Sequence, residues 1–428
     1  MNSNDRSIVG LLMLAHGMVH TYELSIPIFV TIWLAEFDVI ALAGFEVGVT
    51  QATLGLVVTA GYGLFGLGAL PGGILVDRFG SRRLIAACLF GMGGSFFLLG
   101  VAPDLVVVTV SLLLWGLAAS VYHPAGLTLI SKGMRARGTG FAYHGAAGNV
   151  GIGLGPLLTA VLLLLFDWTA VATVLAVPAV LAGLYALRAE FDETAAVEGV
   201  GTDGGDPRAE GGVDSLSEFV AESRLLFAGA FVVVFVIVMG NGLFYRGVLT
   251  FLPNLLEGLP GFDPVPLAAF VPGIEAGAER TLRPERYFYA GLLLVGIAGQ
   301  YLGGKLTDHV PPEYGIAGVF GLLALLSLSF LPVAALGIGP LFAFGAVFGL
   351  TLFAAQPLYQ AAVADYTPAG TRGLSYGYTY LGSFGVGALG GAVAGAVLTY
   401  ADAGVLFGVL AGFALVASAA AVYLVVRD

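Results

Sequence analysis

Twelve stretches of the chain are apolar over about 20 residues, the length at which a helix crosses the bilayer core. They fall at roughly 8–32, 50–76, 84–102, 105–131, 139–165, 169–187, 225–252, 286–306, 315–337, 339–363, 374–399 and 403–426. They point to an all-α integral membrane protein with 12 transmembrane helices. Composition agrees: 11% of residues are charged, where soluble domains carry about 25%. The 65 glycines are roughly twice the ordinary share, and membrane helices use glycine to bring backbones close. The first run lacks a basic leading region and contains His16, His20 and Glu23, so it is expected to be a span and not a cleaved signal peptide.

The runs divide six and six. Residues 188–224 are acidic and Gly-rich, with little to bury, and read as a flexible linker. Its end, Ser215 to Arg224, reads as an amphipathic helix leading into the seventh span. The expected organisation is a six-helix bundle over 1–187, a cytoplasmic linker over 188–224 and a second six-helix bundle over 225–428. A short pattern recurs in the two halves. Gly73-Ile-Leu-Val-Asp77-Arg78-Phe-Gly80-Ser-Arg82-Arg83 follows the second span, and Gly304-Lys305-Leu-Thr-Asp308-His309 follows the eighth. Arg137-Gly138 and Arg372-Gly373 then enter Gly-rich spans, at offsets of roughly 231 to 235 residues. Such pseudo-symmetric halves are the mark of duplicated transporter folds.

Lys and Arg set the orientation, because positively charged loops stay in the cytoplasm. One face of the chain comprises the termini, the linker and the even-numbered loops. It holds Arg6, Arg78, Arg82, Arg83, Lys132, Arg135, Arg137, Arg188, Arg208, Arg224, Lys305, Arg372 and Arg427, thirteen of the 17 basic residues. Both termini are therefore expected in the cytoplasm, with the chain crossing the plasma membrane many times. The net charge of −11 with only two Lys is a haloarchaeal-like composition and argues against a nucleic-acid partner. The lone Cys88 reads as a small apolar filler.

At this point the chain resembles the major facilitator superfamily. The twelve spans, the central linker and the Gly-x-x-x-Asp-Arg-x-Gly-x-Arg-Arg loop all agree. The resemblance implies a cytoplasmic gating motif made of Gly73, Asp77, Arg78, Gly80, Arg82 and Arg83, with Gly304 and Asp308 in the second half. Asp77 and the arginines would latch the halves when the outer gate is open. The alternative is that they only enforce topology and a tight turn. His309 stands where an Arg is usual, and the distal Arg pair is missing. Gly151-Ile-Gly-Leu-Gly155-Pro156 is similar to the motif of proton-coupled drug exporters, without the following Gly pair and without a basic residue in the fourth span. The ending Ser120-Val-Tyr122-His123-Pro124 is similar to fosmidomycin-resistance exporters.

Ionisable residues inside a span are costly and mark function by default. His16, His20 and Glu23 are spaced i, i+4, i+7, one stripe on one helix face. His takes up and releases protons near neutrality. The stripe reads as proton coupling or substrate binding, or else as an internally satisfied packing network. Pro27 has no N–H for the carbonyl of Glu23, leaving that carbonyl for a cation or water and allowing a bend. Arg246, well inside the seventh span, must be paired or face water. Glu23 or an anionic substrate would satisfy it, unless it snorkels to the outer interface. His123 and His144, near the cytoplasmic ends of the fourth and fifth spans, read as a proton relay or as loop caps. Pro124 is expected to break the span at His123. Asn149, Gln356, Tyr359 and Gln360 offer hydrogen bonds to a substrate or to neighbouring helices. Gly68/Gly72, Gly151/Gly155 and Gly387/Gly391/Gly395 permit close helix contact, which the resemblance places between the halves. Arg280, Arg283 and Arg286 read as a solvated cluster beside Glu275, Glu279 and Glu285, or as an attractor of anions.

No phosphate-binding loop, nucleophile motif or Cys/His metal pattern is present, so no cofactor, metal or enzymatic activity is expected. The expected protein is a secondary active transporter, monomeric in the lipid bilayer, moving a small organic solute by alternating access. Coupling to protons or sodium is expected, with antiporter export of a drug-like or anionic compound leading. Symport uptake of an organic acid is the alternative, and a non-transporting sensor or scaffold a minor one.

Overall fold

The computed structural model describes residues 1–197, 216–270, 281–368 and 371–427. Nearly all of them are helical. The spans are Ser3–Glu36, the pair Gln51–Leu67 and Ala69–Phe79 bent by 47°, Ser81–Leu99, Leu105–Gly133, Arg137–Leu162, Trp168–Arg188, Phe231–Leu249, Pro284–Thr307, Pro312–Ala334, Ile338–Asp365, Gly373–Tyr400 and Ala403–Arg427. By length and apolarity alone, ten of these qualify, or eleven with the bent pair. The remaining one, Pro284–Thr307, is diluted by Glu285, Arg286, Gln300 and Lys305. We refer to them below in this order as the first to twelfth spans.

Several ends follow from capping chemistry. Thr50 and Thr53 form a reciprocal box at the start of the second span, while Asp104 and Asp167 accept backbone N–H groups one turn ahead. Each satisfies donors that the first helical turn leaves unpaired. Gly80 has φ 80°, a left-handed conformation that glycine adopts without strain. It turns the chain sharply between the second and third spans.

Two local expectations change. The first span runs unbroken through Pro27, and the carbonyl of Glu23 is taken by the hydroxyl of Tyr62 at 2.6 Å. The fourth span does break near Pro124, but at Val121, between Leu105–Ser120 and Tyr122–Gly133. The proline withholds an N–H from the carbonyl one turn back, so the disturbance lies ahead of it and His123 is helical.

Close helix crossings rest on glycine. A Cβ at Gly151 or Gly155 would run into Gly17 or Thr21 of the first span. Those glycines therefore pack span five on span one and not on the opposite half; Gly153 between them faces Leu294 of span eight. Gly68 and Gly72 likewise meet Ser120 and Pro124 of span four. Spans two and eleven do meet directly, through Gly55 against Gly391, Gly66 against Gly385 and Gly395 against Gln51. Span eleven carries a π-helical segment, Leu381–Val386, at this crossing.

The start of the linker is held. Asn4 donates to the carbonyls of Gly133 and Asp192, and Ala196 N–H donates to Lys132 O at 3.0 Å. The flexible-linker expectation for 198–215 lies outside the described residues, as does Ser215. The helix expected there runs over Leu216–Phe227.

Candidate functional site

The i, i+4, i+7 spacing of His16, His20 and Glu23 puts all three on one buried face of the first span. Glu23 is the hub. Its Oε1 accepts from Arg246 Nη2 of the seventh span, and its Oε2 faces His20 Nδ1 at 2.5 Å. The side chains of Arg246 and Glu23 are 2% and 1% exposed, so Arg246 does not snorkel. Its guanidinium carbon lies 3.7 Å from the centre of the Tyr62 ring, a cation–π distance. Tyr245 and Phe384 stand farther off, at 5.5 and 5.8 Å. The hydroxyl of Tyr289 in span eight donates to Leu24 O at 3.1 Å. Spans one, two, seven and eight are thus tied at one level. Arg246 Nε is buried with no hydrogen-bond partner among the described residues.

The chain of polar contacts continues along the first span. His20 Nε2 faces His16 Nε2 at 3.0 Å, and His16 Nδ1 lies 2.7 Å from the carbonyl of His144. A carbonyl only accepts, so His16 Nδ1 carries the proton there. Glu23 is ion-paired with Arg246, so His20 Nδ1 donates to its other oxygen. With those tautomers both Nε2 atoms turn their lone pairs toward each other, a geometry that one shared cation completes.

His123 and His144 were expected at the membrane edge and are instead brought inside. They are 5% and 7% exposed. The His144 ring stacks on His16 with centroids 3.8 Å apart, and His123 meets His16 edge-on at 5.3 Å. Gly148 makes room: a Cβ there would come 2.5 Å from His16 Cε1. His123 stacks in turn on Tyr380 of span eleven at 4.7 Å. Four of the five histidines in the chain therefore share one buried cluster. One ring nitrogen from each of His16, His20 and His123 falls in a set lying within 4.8 Å of one another, a grouping that the sequence, with His20 and His123 103 positions apart, does not display. Sequence reasoning also missed Tyr62 and Tyr380, since 17 tyrosines give no signal that singles out two.

The remaining candidates lie elsewhere. Gln356 accepts from Gln300 at 2.8 Å, a helix-to-helix bond between spans ten and eight. Tyr359 is buried and Gln360 exposed. Asn149 is half-buried and makes no side-chain hydrogen bond among the described residues. In the loop motif, Asp77 pairs with Lys132 at 3.0 Å and not with the arginines. Arg82 Nη1 donates to Ala189 O, and Arg78 lies over Phe79. Glu193 accepts from the N–H groups of Ser81 and Arg82. These contacts all stay within the first six spans and the linker start. In the second copy, Lys305 pairs with Asp308 at 3.4 Å. Outside the spans, Arg283 pairs with Glu257, while Arg280, Glu275 and Glu279 lie outside the described residues.

Comparison with known proteins supplies the family context. The model of the Major Facilitator Superfamily matches residues 18–380. A puromycin resistance protein of Streptomyces alboniger is 32% identical over 29% of this chain and 25% of its own length. A Na(+), Li(+), K(+)/H(+) antiporter of Planococcus maritimus is 32% identical over 30% of this chain and 32% of its own. The chain thus spans only a quarter to a third of these relatives. Among solved structures, a bacterial homologue of the human lysosomal transporter Spinster, inward-facing and unoccupied, superposes with a TM-score of 0.70 at 14% identity, covering 100% of this chain and 96% of that one. The nucleoside transporter NupG gives 0.68 at 14% identity over 99% of both chains. At these identities the likeness is one of fold.

Proposed function

The chain belongs to the Major Facilitator Superfamily, and from that premise we propose that it exports a small organic solute in exchange for protons. The observation that carries this reading is the buried run Arg246–Glu23–His20–His16–His144. Its ionisable side chains lie beside the Glu23–Arg246 ion pair that ties the first span to the seventh. An isolated buried charge is strongly disfavoured. A proton arriving at Glu23 and His20 weakens the hold on Arg246, and the spans are then free to rearrange. Arg246 Nε, buried without a hydrogen-bond partner among the described residues, is an N–H available to an anionic or carbonyl group of the solute.

In this reading the spans 1–187 and 225–428 are the two moving halves, and the membrane is the plasma membrane with both termini in the cytoplasm. That orientation rests on the basic residues of one face. The loop motif around Asp77 acts there as a gate, and the carrier works as a monomer. Resistance proteins for puromycin and lincomycin among the relatives make those two compounds the first solutes to assay. Exchange of an alkali cation for protons is a second reading, favoured by the antiporter relative.

Proteoliposomes with an imposed proton gradient and a trapped pH dye test this. Puromycin or lincomycin added on the opposite side from the protons should be moved against its gradient while protons flow down theirs. Co-movement of solute and proton in the same direction would replace exchange with symport. Proton release on adding Na+ alone would favour the second reading. No flux of any of them would remove the proposal.

A further inference from the structure

We propose that His16, His20 and His123 form a binding site for a divalent transition-metal ion of the Zn2+, Co2+ or Ni2+ type, and that the bound ion arrests transport. Three features carry this. First, the nitrogen set is close enough. The two Nε2 atoms are 3.0 Å apart and the three ligand atoms lie within 4.8 Å of one another. Nitrogens bound to one tetrahedral ion at about 2.0–2.1 Å sit about 3.3 Å apart, so small ring rotations complete the triangle.

Second, the outer contacts have the form that metal-bound histidines take. A ligating imidazole donates its far N–H to a carbonyl or a carboxylate, which fixes the ring and points the other nitrogen at the ion. His16 Nδ1 donates to the carbonyl of His144, and His20 Nδ1 to the carboxylate of Glu23. Two Nε2 lone pairs are thereby turned on each other, an arrangement that one shared cation completes.

Third, the chemistry is selective. All three residues are buried, at 5 to 9% exposure. Three neutral imidazoles suit Zn2+, Ni2+ and Co2+, whereas Mg2+ and Ca2+ take oxygen ligands. The set leaves a fourth position for water or an anion. A metal held there spans the first and fourth spans and lies between His16 and His20. His123 also stacks on Tyr380 of span eleven, so an ion on His123 tethers both of its neighbours.

The binding goes beyond the exchange reading and does not depend on it, because it can be read without a gradient; the arrest of transport rests on that reading. Purified protein in detergent is titrated with Co2+, whose visible absorption reports tetrahedral coordination, and then with Zn2+. One Co2+ per chain with tetrahedral bands, displaced by Zn2+, is the expected result. His16→Ala and His20→Ala should each weaken binding by at least about 100-fold, and Glu23→Gln by about 10- to 100-fold as an outer partner. His123→Phe keeps the ring stacking on Tyr380 and should weaken binding as His123→Ala does. His309→Ala, at the exposed fifth histidine, should bind as the wild type. Octahedral spectra, or equal affinity in the His123 and His309 variants, would overturn the site. In proteoliposomes, micromolar Zn2+ should slow wild-type flux and spare His123→Phe. Equal slowing of both would show that the ion acts elsewhere.

Discussion

Arg246 lies with its guanidinium carbon 3.7 Å over the centre of the Tyr62 ring, while the hydroxyl of the same tyrosine donates to the backbone of Glu23. One aromatic side chain of span two therefore supports both members of an ion pair between spans one and seven. The two contacts separate experimentally. Tyr62→Phe removes the hydroxyl and keeps the ring, at a cost of about 1 kcal/mol. Tyr62→Leu also removes the cation–π contact, adding about 2 kcal/mol at this desolvated site. Thermal unfolding in detergent should rank wild type, Phe and Leu in that order; equal losses for both would deny the ring its role.

The ion pair itself is expected to be strongly non-additive. Removing one partner strands a buried charge and costs about 3–5 kcal/mol. Glu23→Gln and Arg246→Gln should each lower the unfolding midpoint sharply, and the double variant should lose much less than the sum. Additive losses would mean that the two side chains act separately. Arg246→Lys should not restore the wild type, because an ammonium lacks the planar fork that stacks on Tyr62.

Gly148 and Gly145 are near neighbours on span five with opposite surroundings. A Cβ at Gly148 meets the His16 ring, whereas one at Gly145 meets nothing within 4 Å. Gly148→Ala should displace His16 and impair gradient-driven transport, and Gly145→Ala should leave it intact. Flux in matched proteoliposomes decides, and equal activity would place the His16 ring outside the coupling path.

The Asp77–Lys132 pair is about half exposed on both sides, at 53% and 45%, so it contributes at most about 1 kcal/mol. Lys132→Ala should leave the unfolding midpoint nearly unchanged. If the motif gates, transport should slow nonetheless; a large drop in midpoint would make the pair structural instead.

Asp167 caps the sixth span from outside it, and the Thr169 hydroxyl and the Ala170 N–H hold its carboxyl below the usual value of 3.8. A lowered folded-state value stabilises at neutral pH and loses that share as pH falls below 3.8. Asp167→Ala should therefore cost about 1 kcal/mol at pH 7 and progressively less in acid. A cost that does not change with pH would mean the carboxylate is not the cap.

Much of this was legible in the sequence. Apolar runs located the spans, and the 3.6-residue period placed His16, His20 and Glu23 on one face. The position of Arg246 in the seventh span made Glu23 a natural partner. The rest depended on tertiary placement. His123 and His144 look like edge residues because each is near the polar end of its run, and only the break at Val121 and the close crossing of spans one and five turn them inward. The loop motif suggested that Asp77 would meet the arginines beside it. Local spacing cannot reveal Lys132, 55 residues away. Glycine spacings marked close crossings without saying which helix lies across them.

Glu23→Gln compared with wild type in proteoliposomes, under a proton gradient and in solute counterflow, tests the coupling assignment most directly. Counterflow should persist, which also reports a folded carrier, and gradient-driven movement should be lost. Gradient-driven movement at the wild-type rate would mean that protons do not act through Glu23.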